Sequence, residues 1–226
     1  MGDIVGSKTR PIGPPNAGLS EAANPGYAAF KLLRASRPTM VYVGSNAGML
    51  HAINGALTGS TAGQEAWAYV PAALFQGPTT TPNSNGLRAR GDPDFAHKFF
   101  VDGTPLVTDI DFGKTVGGTG TDWRSVLIGS LGKGGKSYFA IDVTDPATMT
   151  TEANVATKVL WEFSHADLGY TFGEPASVKT KKYGWVLIFG SGYNNTDGKP
   201  YFFIVNPRTG LLLEKIEAKE ANGSAV

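Results

Sequence analysis

Three stretches of the chain are variants of one unit: VYVGSNAGMLHAINGALTG followed by EAWAYV, VLIGSLGKGGKSYFAIDVTDP followed by KVLWEF, and VLIFGSGYNNTDGKPYFFIVNPRTG followed by LLLEKI. Each gives a β-branched apolar run ending in Gly, a turn, an aromatic-containing run, a turn of Asx, Thr and Gly, and a third apolar run. Such runs are strand formers, and the Gly, Pro, Asn and Asp between them are turn formers. The units start at Val41, Val126 and Val186, so the repeat is structural, with insertions of uneven length between copies. Repeated antiparallel sheets of three or four strands are the blades of a β-propeller, which bury one another by radial packing. The runs VLIG and VLIFG do not alternate apolar with polar, as expected of strands covered on both faces.

The middle unit is the most legible. Residues 123–128 and 138–143 are strands around a turn of Gly, Ser and Lys, and residues 159–163 supply a third strand around Trp161. Asp142, Thr144, Asp145 and Pro146 end the second strand, because Asx side chains bond their own backbone and Pro fixes φ. The first unit predicts strands at 40–43, 49–53 and 65–70. Others are predicted at 99–102, 104–111, 176–179, 185–189, 201–205 and 211–216. Trp67, Trp161, Asp142 and Gly190 are read as the structural anchors of the blades. A tryptophan before a blade boundary would pack between neighbours and contribute roughly 1.5 to 3 kcal/mol by burial.

The reading is an all-β fold: a β-propeller of quinoprotein-like blades, in one segment spanning residues 1–226, as an incomplete or open arc of about three to four blades at roughly 50 residues each. Residues 1–37 form an irregular lead-in with a short helix at 27–35, where Asn24 suits the cap and Pro25 the first turn. Residues 76–94, rich in Pro, Thr, Asn and Gly, form an exposed loop, and residues 217–226 a polar tail.

Lys plus Arg number 20 against 19 Asp plus Glu, so no basic excess points to nucleic acid. No apolar run approaches the ~18 residues of a membrane-spanning helix, and the chain opens on MGDIVGSKTR, so any export signal is expected outside it. There is no cysteine, which excludes disulfides and thiolate chemistry. SLGKGGKS, residues 130–137, misses the phosphate-binding pattern at its first position, and a strand follows where a helix is required, so it is read as a hairpin turn. Asn194, Asn195 and Asp197 offer three oxygen ligands, short of the six to eight calcium prefers. His51, His97 and His165 have no zinc-ligand spacing, and no GxSxG elbow or triad order is present. Lys179, Lys181 and Lys182 read as a solvated hairpin tip. Arg90, Gly91 and Asp92 spell the integrin-recognition tripeptide inside the exposed loop; a chance match arises in roughly a few per cent of chains this long, so recognition is the minority reading.

The segments GDIVGS, VYVGSNAGMLHAINGALTG, AWAYVPAALF, FFVDGTPLVTDI, WRSVLIGSLGKGGKSYFAIDVTDP, VLWEF, DLGYTFGEP and VLIFGSGYNN resemble, in the same order, the PilC/PilY family of type IV pilus tip-associated proteins. They cover most of residues 1 to 216, and DLGYTFGEP with GSGYNN is the most specific pair. The resemblance implies a propeller at the C-terminal end of a large secreted protein acting in pilus assembly, retraction control and adhesion, with no catalysis. It implies partners among pilus subunits or minor pilins and a host or surface receptor, and a location at the pilus tip reached through the periplasm. The family's calcium loop, D-x-[DN]-x-[DN]-G, has no match before Val226, so no cofactor or metal is assigned to this segment. The family's ring of seven or so blades is longer than this chain provides. The alternatives are a quinone-cofactor dehydrogenase of propeller fold, which usually stacks its cofactor against a Cys pair absent here, and a periplasmic propeller scaffold.

Overall fold

In a computed structural model describing residues 2–220, twelve strands form three four-stranded antiparallel sheets, each a meander in chain order. The first sheet is β1 (Arg10–Ile12), β2 (Met40–Ser45), β3 (Met49–Asn54) and β4 (Glu65–Tyr69). The second is β5 (Leu106–Asp111), β6 (Trp123–Ser130), β7 (Tyr138–Asp142) and β8 (Val159–Phe163), and the third is β9 (Ala176–Thr180), β10 (Gly184–Gly190), β11 (Tyr201–Val205) and β12 (Leu212–Glu217). Three short helices accompany them: α1 (Tyr27–Leu33), α2 (Ala73–Gln76) and α3 (Glu152–Ala156). Strand β1 lies alongside β5, and Arg10 of β1 reaches Glu174, just ahead of β9, at 3.2 Å. The first strands of the three sheets therefore converge on one side, as the inner strands of propeller blades do.

The second sheet is covered on both faces. Leu127, Phe139 and Ile141 pack with Met40, Tyr42, Leu50, Ala52 and Trp67 of the first sheet. Val126, Ile128, Tyr138, Ala140 and Trp161 pack instead with Trp185, Leu187, Phe189, Phe203 and Val205 of the third. This double burial is why β6 and β7 carry no polar alternation. Strand β11 does alternate: Phe203 is fully buried, while Phe202 on the opposite face is 49% exposed. Helix α1 covers the boundary of the second and third sheets with Tyr27 and Phe30, whose rings lie against Trp123.

Several local expectations are corrected. Strand β1 lies inside the predicted irregular lead-in; its Pro11 hid it, although an edge strand tolerates a residue that cannot donate to the ladder. Residues 99–102 are irregular chain rather than a strand, with Phe100, Val101 and Asp102 buried. Helix α1 is capped by Gly26, with φ +83°, and Asn24 does not cap it. The Glu21 carboxylate accepts the Gly26 and Ala28 N–H groups at 2.6 and 2.8 Å instead. The predicted exposed loop 76–94 contains the end of α2 and a 3₁₀ turn, Leu87–Gly91, anchored by buried Ala89. Strand β12 extends to Glu217; of the predicted polar tail, residues 221–226 lie outside the described residues.

Candidate functional site

The three units repeat in geometry more closely than in sequence. In each sheet the pairing of the third and fourth strands slips at the same place, beside Ala52/Ile53, Ala140/Ile141 and Ile204/Val205. The next residue makes an Asx turn each time: Asn54 Oδ1 accepts the Ala56 N–H, Asp142 Oδ1 the Thr144 N–H, and Asn206 Oδ1 the Arg208 N–H, at 3.0, 2.9 and 2.9 Å. Asp142 also holds Arg124 at 3.0 Å. Trp67 and Trp161 are register equivalents, both opposite alanine, Ala52 and Ala140. Trp161 donates its indole N–H to the Pro207 carbonyl at 2.9 Å and lies so close to Gly210 that a Cβ there would stand 2.6 Å from its ring. It therefore fastens the second blade to the third. Gly190 is different: a Cβ would meet nothing closer than the Tyr201 carbonyl oxygen at 4.0 Å, so packing does not demand glycine there.

One face of the arc is built from the hairpin turns between the second and third strands of each blade. A lead-in segment clamps each turn. Asp3 and Ser7 hold the first: the Asn46 N–H donates to the Asp3 carbonyl at 2.9 Å, and the Gly44 N–H to Ser7 Oγ at 2.9 Å. Residues 99–102 join the first and second turns, the Phe100 N–H donating to Asn46 Oδ1 at 3.1 Å and the Asp102 N–H to the Leu131 carbonyl at 3.2 Å. Residues 169–172 join the second and third. Buried Thr171 Oγ1 accepts the Leu131 and Gly132 N–H groups at 3.0 and 3.2 Å, while the Tyr170 N–H donates to the Tyr193 carbonyl at 2.9 Å. Within SLGKGGKS the Leu131 and Gly132 amides are thus taken by a threonine hydroxyl and the Gly134 amide by the Leu131 carbonyl, so these three are not open to a phosphate. On this face Phe172 and Tyr193, 46% and 56% exposed, stack at 5.3 Å.

The family model for the PilY1 β-propeller domain matches residues 1–226. This chain belongs to the PilY1 β-propeller family. It is 35% identical over 231 residues to the type IV pilus biogenesis factor PilY1 of Pseudomonas aeruginosa strain PAO1, covering 99% of this chain and 18% of that protein. It is 37% identical over 209 residues to a PilY1 homologue of Xylella fastidiosa, covering 90% of this chain and 12% of the relative. The crystal structure of the P. aeruginosa PilY1 C-terminal domain superposes with a TM-score of 0.67 at 33% identity, over 94% of this chain and 37% of that one. The chain spans under a fifth of the length of these curated relatives. These relatives are named as pilus biogenesis factors rather than as enzymes.

Within this PilY1-type arc the remaining candidate residues have definite places. Arg90 lays its guanidinium over the Phe100 ring at 5.8 Å and donates to the Asn46 carbonyl, and Asp92 accepts the Asp94 N–H within its own turn at 2.9 Å. Gly91 and Asp92 are exposed, but the arginine of the tripeptide is occupied in holding the loop to the first blade. Asn195 donates to the Asp167 and Lys199 carbonyls at 3.1 and 2.7 Å, and Asp197 accepts the Tyr201 hydroxyl at 2.5 Å, which holds its carboxyl below the ordinary range. Among the described residues no group of three or more His, Cys, Asp or Glu side chains converges as a metal site would require. Lys179, Lys181 and Lys182 are all exposed at the β9–β10 hairpin, where Lys179 bonds the Ala23 carbonyl at 2.6 Å and Lys182 bonds Glu214 at 3.1 Å.

Two polar groupings escaped the sequence reading because their members come from separate elements of the chain. Ser45, His51 and Glu65 form a hydrogen-bonded series across β2, β3 and β4, with Ser45 Oγ 2.9 Å from His51 Nε2. The serine is 1% exposed and also accepts the Ala47 N–H at 3.3 Å, so the series braces the turn. Asp109 is the centre of the other, accepting from Ser125 Oγ at 2.5 Å and the Tyr27 hydroxyl at 2.6 Å, while Arg37 donates to Ser125 at 2.6 Å. Burial, reinforced by Asp109, pushes the Tyr27 phenol above its ordinary range. This network ties α1 and the lead-in to β5 and β6.

Proposed function

We propose that this chain is the blade arc through which a type IV pilus biogenesis factor engages other pilus components, pilus subunits or minor pilins. It presents its loops to receptors at the cell surface and pilus tip, in support of pilus assembly, retraction control and adhesion. It works as a rigid platform with no reaction of its own. The observation that carries this reading is the hairpin-turn face, where lead-in segments clamp three successive turns and leave the Phe172–Tyr193 stack outward. Clamping removes the entropy cost of ordering loops on contact, and exposed aromatic groups are favoured anchors of protein interfaces. Asn46 and Thr171, polar side chains of this face, are engaged in those clamps, which suits shape presentation.

The test replaces Phe172 and Tyr193 by Ser in the intact factor of the parent bacterium. The factor should accumulate normally while surface pili or surface attachment fall. Normal piliation, twitching and attachment in the double variant would overturn the reading.

A further inference from the structure

The segments that lead into the first strand of each blade converge beside the hairpin-turn face: Lys8 and Arg10 at β1, Gly103 and Thr104 ahead of β5, and Gly173 and Glu174 ahead of β9. Together with Ser130 and Lys133, from the end of β6 and its turn, they line a cavity of about 310 Å³. Val5 and Phe172, both exposed, supply its apolar part. That volume is at the small end of ligand sites, which pair an apolar lining with a few placed polar groups.

Ser130 is 6% exposed, and its hydroxyl has no hydrogen-bond partner among the described residues. A hydroxyl buried this far ordinarily has one. Its oxygen is not sealed off by the protein. It lies beside Gly103, where an added Cβ would stand 1.9 Å from it, so glycine leaves the hydroxyl open to the cavity. The Lys8 ammonium has no partner among the described residues, and Lys133 holds its own only over the Phe99 ring, at 4.8 Å. The carboxylates of the lining are already engaged: Glu174 takes Arg10 at 3.2 Å, and Asp102 accepts the Gly6 N–H at 2.7 Å. Lys8, Arg10 and Lys133 against Asp102 and Glu174 leave the lining with one positive charge in excess.

We propose that this cavity receives the C-terminal carboxylate of a partner polypeptide, which accepts from the Ser130 hydroxyl and faces the Lys8 ammonium while its last side chain packs on Val5 and Phe172. Three features favour that group. A single excess charge matches a monoanion rather than a phosphate, an unused donor matches a group that only accepts, and the adjoining apolar wall matches the side chain of a terminal residue. The proposal rests on the reading of this face as a contact surface and names a group that it recognises.

The test is a titration of the ¹⁵N-labelled chain with N-acetyl-leucine, a free carboxylate on an apolar residue, up to about 10 mM, a range suited to a single-residue contact. The amides of Gly103, Ser130, Gly132 and Lys133 should move, and N-acetyl-leucinamide, which lacks the charge, should leave them in place. Ser130→Ala removes a hydroxyl that no other group uses, so the fold is kept, and it should weaken binding about tenfold. Lys8→Gln should weaken binding about threefold, and Lys8→Arg should retain it. No shift with N-acetyl-leucine, equal shifts with its amide, or wild-type affinity in both Ser130→Ala and Lys8→Gln overturns the proposal. So does tighter binding of inorganic phosphate or of glucuronate, which would assign the cavity to a free anion or to an acidic sugar. Piliation of the Phe172 and Tyr193 double variant tests the whole face in the cell, so that reading can fail while the cavity still binds, and the cavity can fail to bind while piliation falls.

Discussion

The contact between Trp161 and Gly210 can be tested as a pair. Trp161 is 7% exposed, so Trp161→Ala removes a nearly buried indole, its bond to Pro207 and its seat on the third blade. Truncations of this kind cost about 3 to 5 kcal/mol. Gly210 has φ +72°, and an added Cβ would lie 2.6 Å from Trp161 Cγ. Gly210→Ala therefore carries about 1 to 2 kcal/mol of left-handed backbone strain and about 1 to 3 kcal/mol of overpacking. With the indole removed, only the backbone part remains. The double variant should then be less destabilised than the sum of the singles by about 1 to 3 kcal/mol. Urea unfolding at constant slope measures it: with a slope near 3 kcal/mol per molar, Trp161→Ala lowers the midpoint by about 1 to 1.7 M. Additivity within about 0.5 kcal/mol, or an unchanged midpoint for Trp161→Ala, would refute the reasoning that this ring holds two blades together.

Thr171→Val should cost about 1 to 3 kcal/mol, because it leaves the buried Leu131 and Gly132 N–H groups without their acceptor, and amide exchange across residues 131–137 should accelerate; unchanged protection would remove Thr171 as a clamp. On β11, Phe203→Ala should cost about 3 to 5 kcal/mol and Phe202→Ala less than about 1, and equal costs by thermal melting would contradict the face assignment. The hydrogen bond to Asp197 raises the Tyr201 phenol from 10.0 to about 12, so this group's contribution to stability is complete below pH 10 and is lost as pH rises toward 12. Ultraviolet titration of Asp197→Asn should return that phenol toward 10, and an unmoved titration would exclude Asp197 as the cause. Because Arg90 is held on Phe100 and Asn46, Asp92→Ala should leave solid-phase binding to a purified integrin unchanged; loss of specific binding would mean that Arg90 leaves its seat.

Phe100 and Val101 illustrate how far local pattern reaches. FFVD has the composition of a strand, but its N–H groups are claimed by Asn46 and by the carbonyls of Ser45 and Leu131, so tertiary bonds replace a ladder. Helix α3 left only a weak signal, Thr151 ahead of Glu152, where the threonine hydroxyl accepts the Asn154 N–H at 3.2 Å. The pairing of DLGYTFGEP with GSGYNN was recognisable as a combination, yet its physical meaning, a backbone bridge between Tyr170 and Tyr193 beside the second hairpin turn, depends on segments more than twenty residues apart.

The sequence by itself determined the strands and turns, since β-branched runs, Asx turns and glycines act within a few residues of one another. It also determined that the second blade is buried on both faces, because unbroken apolar runs tolerate no solvent face. Tertiary structure decided what each equivalent side chain does. Trp161 finds a carbonyl and Trp67 finds none among the described residues, although both stand opposite alanine in the same register, because the connection after β7 carries α3 where the one after β11 is a tight turn. A hydrogen bond across a blade boundary is set by the relative placement of two sheets, and no local pattern in either strand encodes that distance.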